Sequence, residues 1–209
     1  MTPTTPETPT RPVVVGLLGG VAAGKSAVSA ILARHGLVVL DADRIAREVL
    51  ESPEARPGLL RLFGPDAIDP AGQPDRAVIA DRTFRDQGLR AGLERLVHPA
   101  VHTRLEAELE AALAAGHSVV LDVPLLLERG WTERCDHVVF IDVPLQARRQ
   151  RATARGMTED DWARREAAQA PLADKRAAAD TIVDNSGSLK ALEQQIDQLV
   201  TSGSLGPRH

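Results

Sequence analysis

The sequence predicts an α/β fold: a five-stranded parallel sheet flanked by helices, with a helical insertion and a helical lid. Three observations carry the prediction. Short Val/Ile/Leu-rich runs, the kind buried on both faces of a parallel sheet, alternate with longer helix-periodic stretches. The first run breaks into a glycine-rich loop and resumes as a helical pattern, "VVVGLLGGVAAGKSAVSAIL" over 13–32. Between 44 and 98 the alternation stops, and turn-rich stretches ("SPEARPG", "GPDAIDPAGQPD") separate short helical pieces.

In chain order, strands are expected at Val13–Leu18, Leu37–Asp41, Ser118–Val123, His137–Asp142 and Thr181–Asp184. The first helix starts near Lys25, with Val28, Ile31 and Leu32 on one face and Gly36 as its stop. A long helix is expected over Pro99–Ala115, with Pro at its start, Gly116 after its end, and Val101, Leu105, Leu109 and Leu113 recurring every four residues. Thr158 and Asp161 read as a capping box opening another helix, and Lys190–Val200 as the closing one. The domain is expected over 13–201, with the helical region at 44–98 and the lid at 145–170. Residues 1–12, Thr/Pro-rich and without an apolar stretch, read as a disordered tail rather than a signal peptide, and 202–209 as a flexible tail.

Composition narrows the function classes. A net charge of −4 argues against sequence-independent nucleic-acid binding, and 2% aromatics with no Tyr against base-stacking platforms. No apolar run approaches the roughly 20 residues of a membrane span. Cys135, the only cysteine, suits a reducing compartment and reads as a small buried hydrophobe. A cytoplasmic chain, monomeric or weakly self-associating, is expected.

Gly19–Ser26, "GGVAAGKS", fits G-x-x-x-x-G-K-[ST] between a strand and a helix, the context of a phosphate-binding loop. Gly19 and Gly24 let the backbone turn, the loop amides from Gly19 through Gly20, Val21, Ala22, Ala23 and Gly24 to Ala27 form an anion cradle, Lys25 reaches the β/γ-phosphates, and the Ser26 hydroxyl can bind Mg²⁺. Such a loop does not say where the phosphate goes. An Asn-Lys-x-Asp guanine-reading run is absent. A small-molecule kinase needs a carboxylate to accept the acceptor's proton. Asp41 and Asp43, at the carboxyl end of the second strand, are candidates; Asp43 could be that base, or cap the helix that follows. Asp122, ending the third strand, could bind Mg²⁺ or be a structural acid. Arg148, Arg151 and Arg155 fall on one helix face and could close over a nucleotide, or simply be a solvated charged face. Asn185 and Gly187 could line the adenine pocket, or simply make a turn.

The stretch "GLLGGVAAGKSAVSAILARHGLVVLDADRIAREV" resembles the dephospho-coenzyme A kinase family, with its Gly-Gly-x-x-x-Gly-Lys-Ser loop followed by Asp-Ala-Asp-x-Ile-Ala-Arg. "LVHPAV", "DVPLLLERG", "RREAAQAPLADKRAAAD" and "VDNSG" are similar to later family blocks, in order, so the likeness covers the chain after Pro12. The resemblance implies a three-layer P-loop kinase fold and transfer of the ATP γ-phosphoryl group to the ribose 3′-hydroxyl of dephospho-CoA. It implies that Asp43 is the base, that ATP with Mg²⁺ sits on the loop, that Arg165 is a further arginine of the lid, and that Arg47, His98, Pro124, Leu125 and Glu128 belong to the acceptor site. Leu18 and Ala27 stand where the family usually has Thr; neither change removes an amide donor, the Lys or the Ser hydroxyl. A kinase of another nucleoside or nucleotide, or a P-loop NTPase switch, would share the loop.

Overall fold

Parallel strands need both faces covered, and the apolar runs supply side chains for both. The computed structural model describes residues 11–205. Strands β1 (Val14–Gly19), β2 (Val38–Asp41), β3 (Val119–Asp122), β4 (His137–Asp142) and β5 (Thr181–Asp184) form one sheet in the order β2-β3-β1-β4-β5. The pairings of β1 with β3 and β4, and of β4 with β5, are parallel. All five expected strands are present, with ends shifted by at most one residue. The central strand β1 is buried throughout. Open α/β sheets bind ligands outside the carboxyl ends of such strands, which is where the glycine-rich loop emerges.

The helices are α1 (Lys25–Arg34), α2 (Ala42–Glu51), α3 (Arg56–Phe63), α4 (Arg76–Arg85), α5 (Gln87–Ala114), α6 (Leu145–Ala154), α7 (Glu159–Ala167), α8 (Leu172–Ala177) and α9 (Leu189–Thr201). The chain divides into two compact units, one comprising the chain up to Leu40 and again from Leu109, the other Asp41–Glu108.

In the sheet unit, Val15 and Leu17 of β1 pack with Val28, Ile31 and Leu32 of α1 and with Leu192 and Ile196 of α9. Arg34 and His35 pair with Glu193 and Asp197 of α9, each at 2.7 Å. Leu205, assigned by its sequence to a tail beginning at 202, is buried in this core. Of the tail expected over 1–12, residues 1–10 lie outside the described residues, as do 206–209; Arg11 reaches Asp136 at 2.8 Å. Cys135 is buried, its thiol donating to the Trp131 carbonyl at 3.3 Å. Lys175 of α8 is 1% exposed. Its ammonium donates to Gln169 Oε1 at 2.7 Å and faces Glu128 Oε1 at 3.3 Å, and the same Glu128 oxygen accepts from the Ala170 amide at 2.6 Å. A buried ammonium is thereby neutralised, and the turn after β3 is tied to the segment between α7 and α8.

In the Asp41–Glu108 unit, Leu59, Phe63, Ala67 and Ile79 form a separate small core. Among its described residues the β structure past the end of β2 is one isolated bridge, Ile68 to Pro74. The long helix starts at Gln87, not Pro99, and carries Pro99 in its interior. An interior Pro removes one hydrogen bond and costs about 3 kcal/mol. The packing of Leu89, Leu93 and Leu96 against the small core holds the preceding turns in the helix despite that. This apolar stripe outweighs the Pro signal that suggested a helix start.

A ring of charges joins α2 to α5. Arg44 reaches Glu48 at 2.7 Å and Glu108 at 2.6 Å; Arg104 reaches Glu48 at 2.5 Å and Glu108 at 3.1 Å. The Arg44 hydrogen bond holds the Glu48 carboxyl below its ordinary range, and the bonds to Glu48 and Glu108 raise Arg44 further.

Two predictions follow from these charge clusters. Glu48 titrates lower folded than unfolded, so its contribution is full above the ordinary carboxyl range and is lost as pH falls through the lowered value. Thermal melts between neutral pH and about pH 3 should therefore show a shallower acid limb in Glu48→Gln than in the parent chain; identical slopes would refute the contribution. Lys175→Met should destabilise by about 3–5 kcal/mol in urea denaturation, because it strands the Glu128 carboxylate. Adding Glu128→Gln should recover part of that loss, and a double variant no better than the single would show that charge compensation is not the cause.

Candidate active site

The residues Gly20–Gly24 join β1 to α1, and the path of this loop follows from where its peptide groups are held. In a trans peptide the C=O and the next N–H point in opposite directions, so holding one aims the other. The Gly20 carbonyl accepts the Ala23 amide at 3.2 Å in a tight turn. The Val21 carbonyl faces Arg148 Nη1 at 3.4 Å. The Ala23 carbonyl accepts from Asn185 Nδ2 at 2.8 Å and Arg151 Nη1 at 3.5 Å. The amides of Ala22 and Gly24 are turned the opposite way from these outer partners. The loop then runs into α1, whose first turn has no side-chain cap, so its N–H groups and dipole present a positive end.

Two glycines are required by this geometry. Gly24 has φ +97°, and a Cβ there would also overlap the Asn185 amide. At Gly20 a Cβ would overlap the Arg148 guanidinium, with Cζ only 2.8 Å away. Gly19, singled out by the motif, is the extended last residue of β1 and lies close to Ala23 and Ile141. Ala22 adopts φ +60°, a strained left-handed conformation for a residue with a side chain. Nothing in the sequence signals it.

The remaining candidates fall out unevenly. Lys25 and Ser26 open α1, with Ala27 behind them in the same turn. Asp122 ends β3, and its Oδ2 accepts from Ser29 Oγ of α1 at 3.0 Å. Ser29 thus ties the helix to the strand end, a link the motif does not contain. Arg148 and Arg151 reach the loop, and Arg151 also donates to the Asn185 carbonyl at 2.7 Å. Arg155, on the same face by spacing, is the exposed C-cap of α6, and Arg165 is exposed on α7. Asn185 is buried against the loop, whereas Gly187 is exposed in the turn after β5. Pro124 and Leu125 lie partly buried in the turns after β3, where Glu128 is engaged by Ala170 and Lys175.

In the Asp41–Glu108 unit, the cap of α2 is Asp41, not Asp43. Asp41 Oδ1 accepts the Asp43 amide at 2.8 Å and the Arg44 amide at 3.1 Å. Asp43 stands exposed in the first turn of α2, relieved of the capping role that competed with catalysis in the sequence reading. An Asp two residues ahead has the better cap position because its own backbone is still extended. Arg47 is exposed on α2, and His98 is exposed within α5.

Sequence reasoning missed Glu166, whose carboxylate bonds both Arg148 and the loop. Acidic residues on a charged helix usually belong to a solvated face, so the pattern gave no cue.

The family described as dephospho-CoA kinase (CoaE) matches residues 13–191. A dephospho-CoA kinase of Deinococcus radiodurans is 44% identical over 194 residues, covering 92% of this chain and 93% of that one. Among solved structures, TT1252 from Thermus thermophilus superposes with a TM-score of 0.73 at 35% identity, over 92% of this chain and 98% of its own. Dephospho-CoA kinase from Campylobacter jejuni, at 19% identity, shares the fold with a TM-score of 0.70 over 92% and 97% of the two chains. Sequence and fold agree over nearly the whole length, and the chain belongs to the dephospho-CoA kinase family.

Proposed function

We propose that the chain transfers the γ-phosphoryl group of ATP to the ribose 3′-hydroxyl of dephospho-CoA, forming CoA and ADP, the final step of CoA biosynthesis. The observation that carries this reading is the loop between β1 and α1. Its Val21 and Ala23 carbonyls are held by outer side chains, which turns the Ala22 and Gly24 amides the other way, and the loop leads into an uncapped helix start that bears Lys25 and Ser26. That is an anion cradle with a cation beside it.

In the proposed reaction the loop from Gly19 to Ala27 holds the ATP phosphates, with Lys25 bridging the β- and γ-groups. The acceptor 3′-oxygen forms its bond to the γ-phosphorus as the bond from that phosphorus to the β–γ bridging oxygen breaks. Asp43 accepts the hydroxyl proton, and ADP departs. Arg148 and Arg151 are assigned to the ATP side of the loop, Arg148 with its charge paired to Glu166, and Asn185 borders the loop, with Gly187 following. Arg47, His98, Pro124, Leu125 and Glu128 are assigned to the dephospho-CoA side, Glu128 through the backbone it holds. Ser26 and Asp122 offer one hydroxyl and one carboxylate, the sparse oxygen set that suits a Mg²⁺ bound mainly by phosphates and water. When bound there, Mg²⁺ would neutralise charge on the phosphates. Among the described residues no helix is long and apolar enough to cross a membrane, and a cytoplasmic address goes with this reading. Positioning and electrostatics supply most of the rate in such a reaction.

Labelled ATP offered with a panel of nucleosides, nucleotides and dephospho-CoA should label dephospho-CoA alone, at its 3′-position; label on another acceptor would replace the substrate assignment. Asp43→Asn should keep ATP affinity and lower kcat by about two orders of magnitude or more, the scale of a general base. Wild-type turnover in that variant would remove Asp43 from the chemistry. Lys25→Ala should abolish activity, and an unchanged kcat/KM for ATP would overturn the phosphate-cradle reading.

A further inference from the structure

Arg148 is 3% exposed, and a buried guanidinium needs a counter-charge. Glu166 of α7 supplies it: Oε1 accepts from Arg148 Nη1 at 2.6 Å. Its other oxygen, Oε2, accepts from the Val21 amide at 3.1 Å. The Gly20–Val21 peptide is therefore held at both ends, its carbonyl by Ala23 and its N–H by Glu166. The next peptide follows, because the Val21 carbonyl faces the same Arg148 nitrogen that Glu166 holds. Trp162 closes the arrangement from α7. It is buried with Val21 and Ala152, with Ala22 and Met157 packed beside them, and the Arg148 guanidinium lies 5.7 Å from its ring centre. Among the described residues Arg148 Nε has no acceptor, while Nη1 donates to Glu166 and faces the Val21 carbonyl.

We propose that Glu166 is a positioning residue for the nucleotide loop: its carboxylate joins buried Arg148 to the Val21 amide and thereby sets the peptide orientations of Gly20–Ala22. The proposal rests on the reading that this loop holds the phosphates of ATP. Glu166 carries the same sign as phosphate, so two mechanisms oppose each other. If its effect were through-space charge, removing it would strengthen nucleotide binding. If it acts by orienting peptides, removing it weakens nucleotide binding while the acceptor and the proton transfer are untouched. The contacts are direct hydrogen bonds to a backbone amide and a neutralised cation, and orientation prevails.

The test measures ADP affinity by calorimetry and steady-state kinetics with ATP and dephospho-CoA, at a temperature where thermal melts show every variant folded. Glu166→Ala should raise both the ADP Kd and the KM for ATP about tenfold, the worth of one or two hydrogen bonds. Its kcat and its KM for dephospho-CoA should stay within about threefold of the parent. Glu166→Gln, which keeps an acceptor oxygen for Val21, should restore part of the affinity. In a double-mutant cycle with Arg148→Gln the two losses should be strongly non-additive, since both act on the same peptides. A lower melting temperature with unchanged ADP and ATP constants would reduce Glu166 to a structural ion pair and overturn the proposal, as would tighter nucleotide binding. Should Glu166→Ala fail to fold, Glu166→Gln carries the same comparison. Failure of the functional reading is separately visible, as ADP binding without phosphorylation of dephospho-CoA by the parent chain.

Discussion

The path of the loop between β1 and α1 is set by how its carbonyl oxygens are held, two by side chains from outside the loop and one by the loop itself. Asn185 and Arg151 take the Ala23 carbonyl, Arg148 faces that of Val21, and the Ala23 amide takes that of Gly20. A flexible glycine-rich segment has no intrinsic reason to aim its amides in one direction. Planar peptides provide one: each held carbonyl turns the N–H of the same peptide away from its partner. The outer partners come from α6 and from the end of β5, distant in sequence and adjacent only because β4 and β5 lie next to β1 in the sheet. The strand order thus takes part in shaping this loop, and does not only support it.

The same constraint explains why the loop is rich in small residues for two separate reasons. Gly24 is needed for a left-handed backbone and for the approach of Asn185; Gly20 is needed because the Arg148 guanidinium lies against its α-carbon. A motif description treats both as flexibility. Gly20 is instead a packing glycine, complementary to one particular arginine, and that arginine in turn is tolerable in the interior because Glu166 neutralises it. Ala22 shows the cost of the arrangement. Its positive φ is imposed by the neighbours that fix the peptides on either side, and such strain persists only where surrounding contacts over-determine it.

Much of this was legible in the sequence. Five β-branched runs gave five strands because burial on both faces leaves a continuous apolar signal, and the loop motif gave the start of α1 at Lys25. Thr158 caps α7 as its spacing predicts, accepting the Asp161 amide at 3.2 Å. Other features were hidden for identifiable reasons. Pro99 carries a local helix-start signal, but the leucine stripe at 89, 93 and 96 decides the outcome. Spacing leaves Asp43 open as base or cap; the extended backbone at Asp41 gives the cap to that residue instead. Partners separated by many residues, such as Lys175 with Glu128 and Arg148 with Glu166, leave no periodic trace.

These hidden pairs share a physical logic that bears on how the site is built. Each places a cation inside the sheet unit, neutralises it with one carboxylate, and uses the same carboxylate to hold a backbone amide: Ala170 for Glu128, Val21 for Glu166. A buried ion pair alone adds little net stability, because desolvation offsets most of the attraction. Sharing the carboxylate with an amide changes that balance by satisfying another lone pair, and it also gives the pair a directional effect on the chain. In the first case the effect is to tie the turn after β3 to the segment leading into α8. In the second it is to hold the Val21 amide of the loop between β1 and α1. The charged residues of α6 to α8 therefore divide into two groups that sequence patterning cannot separate. Arg155 and Arg165 remain on the surface, while Arg148, Glu166 and Lys175 are interior parts of the machinery that shapes the backbone.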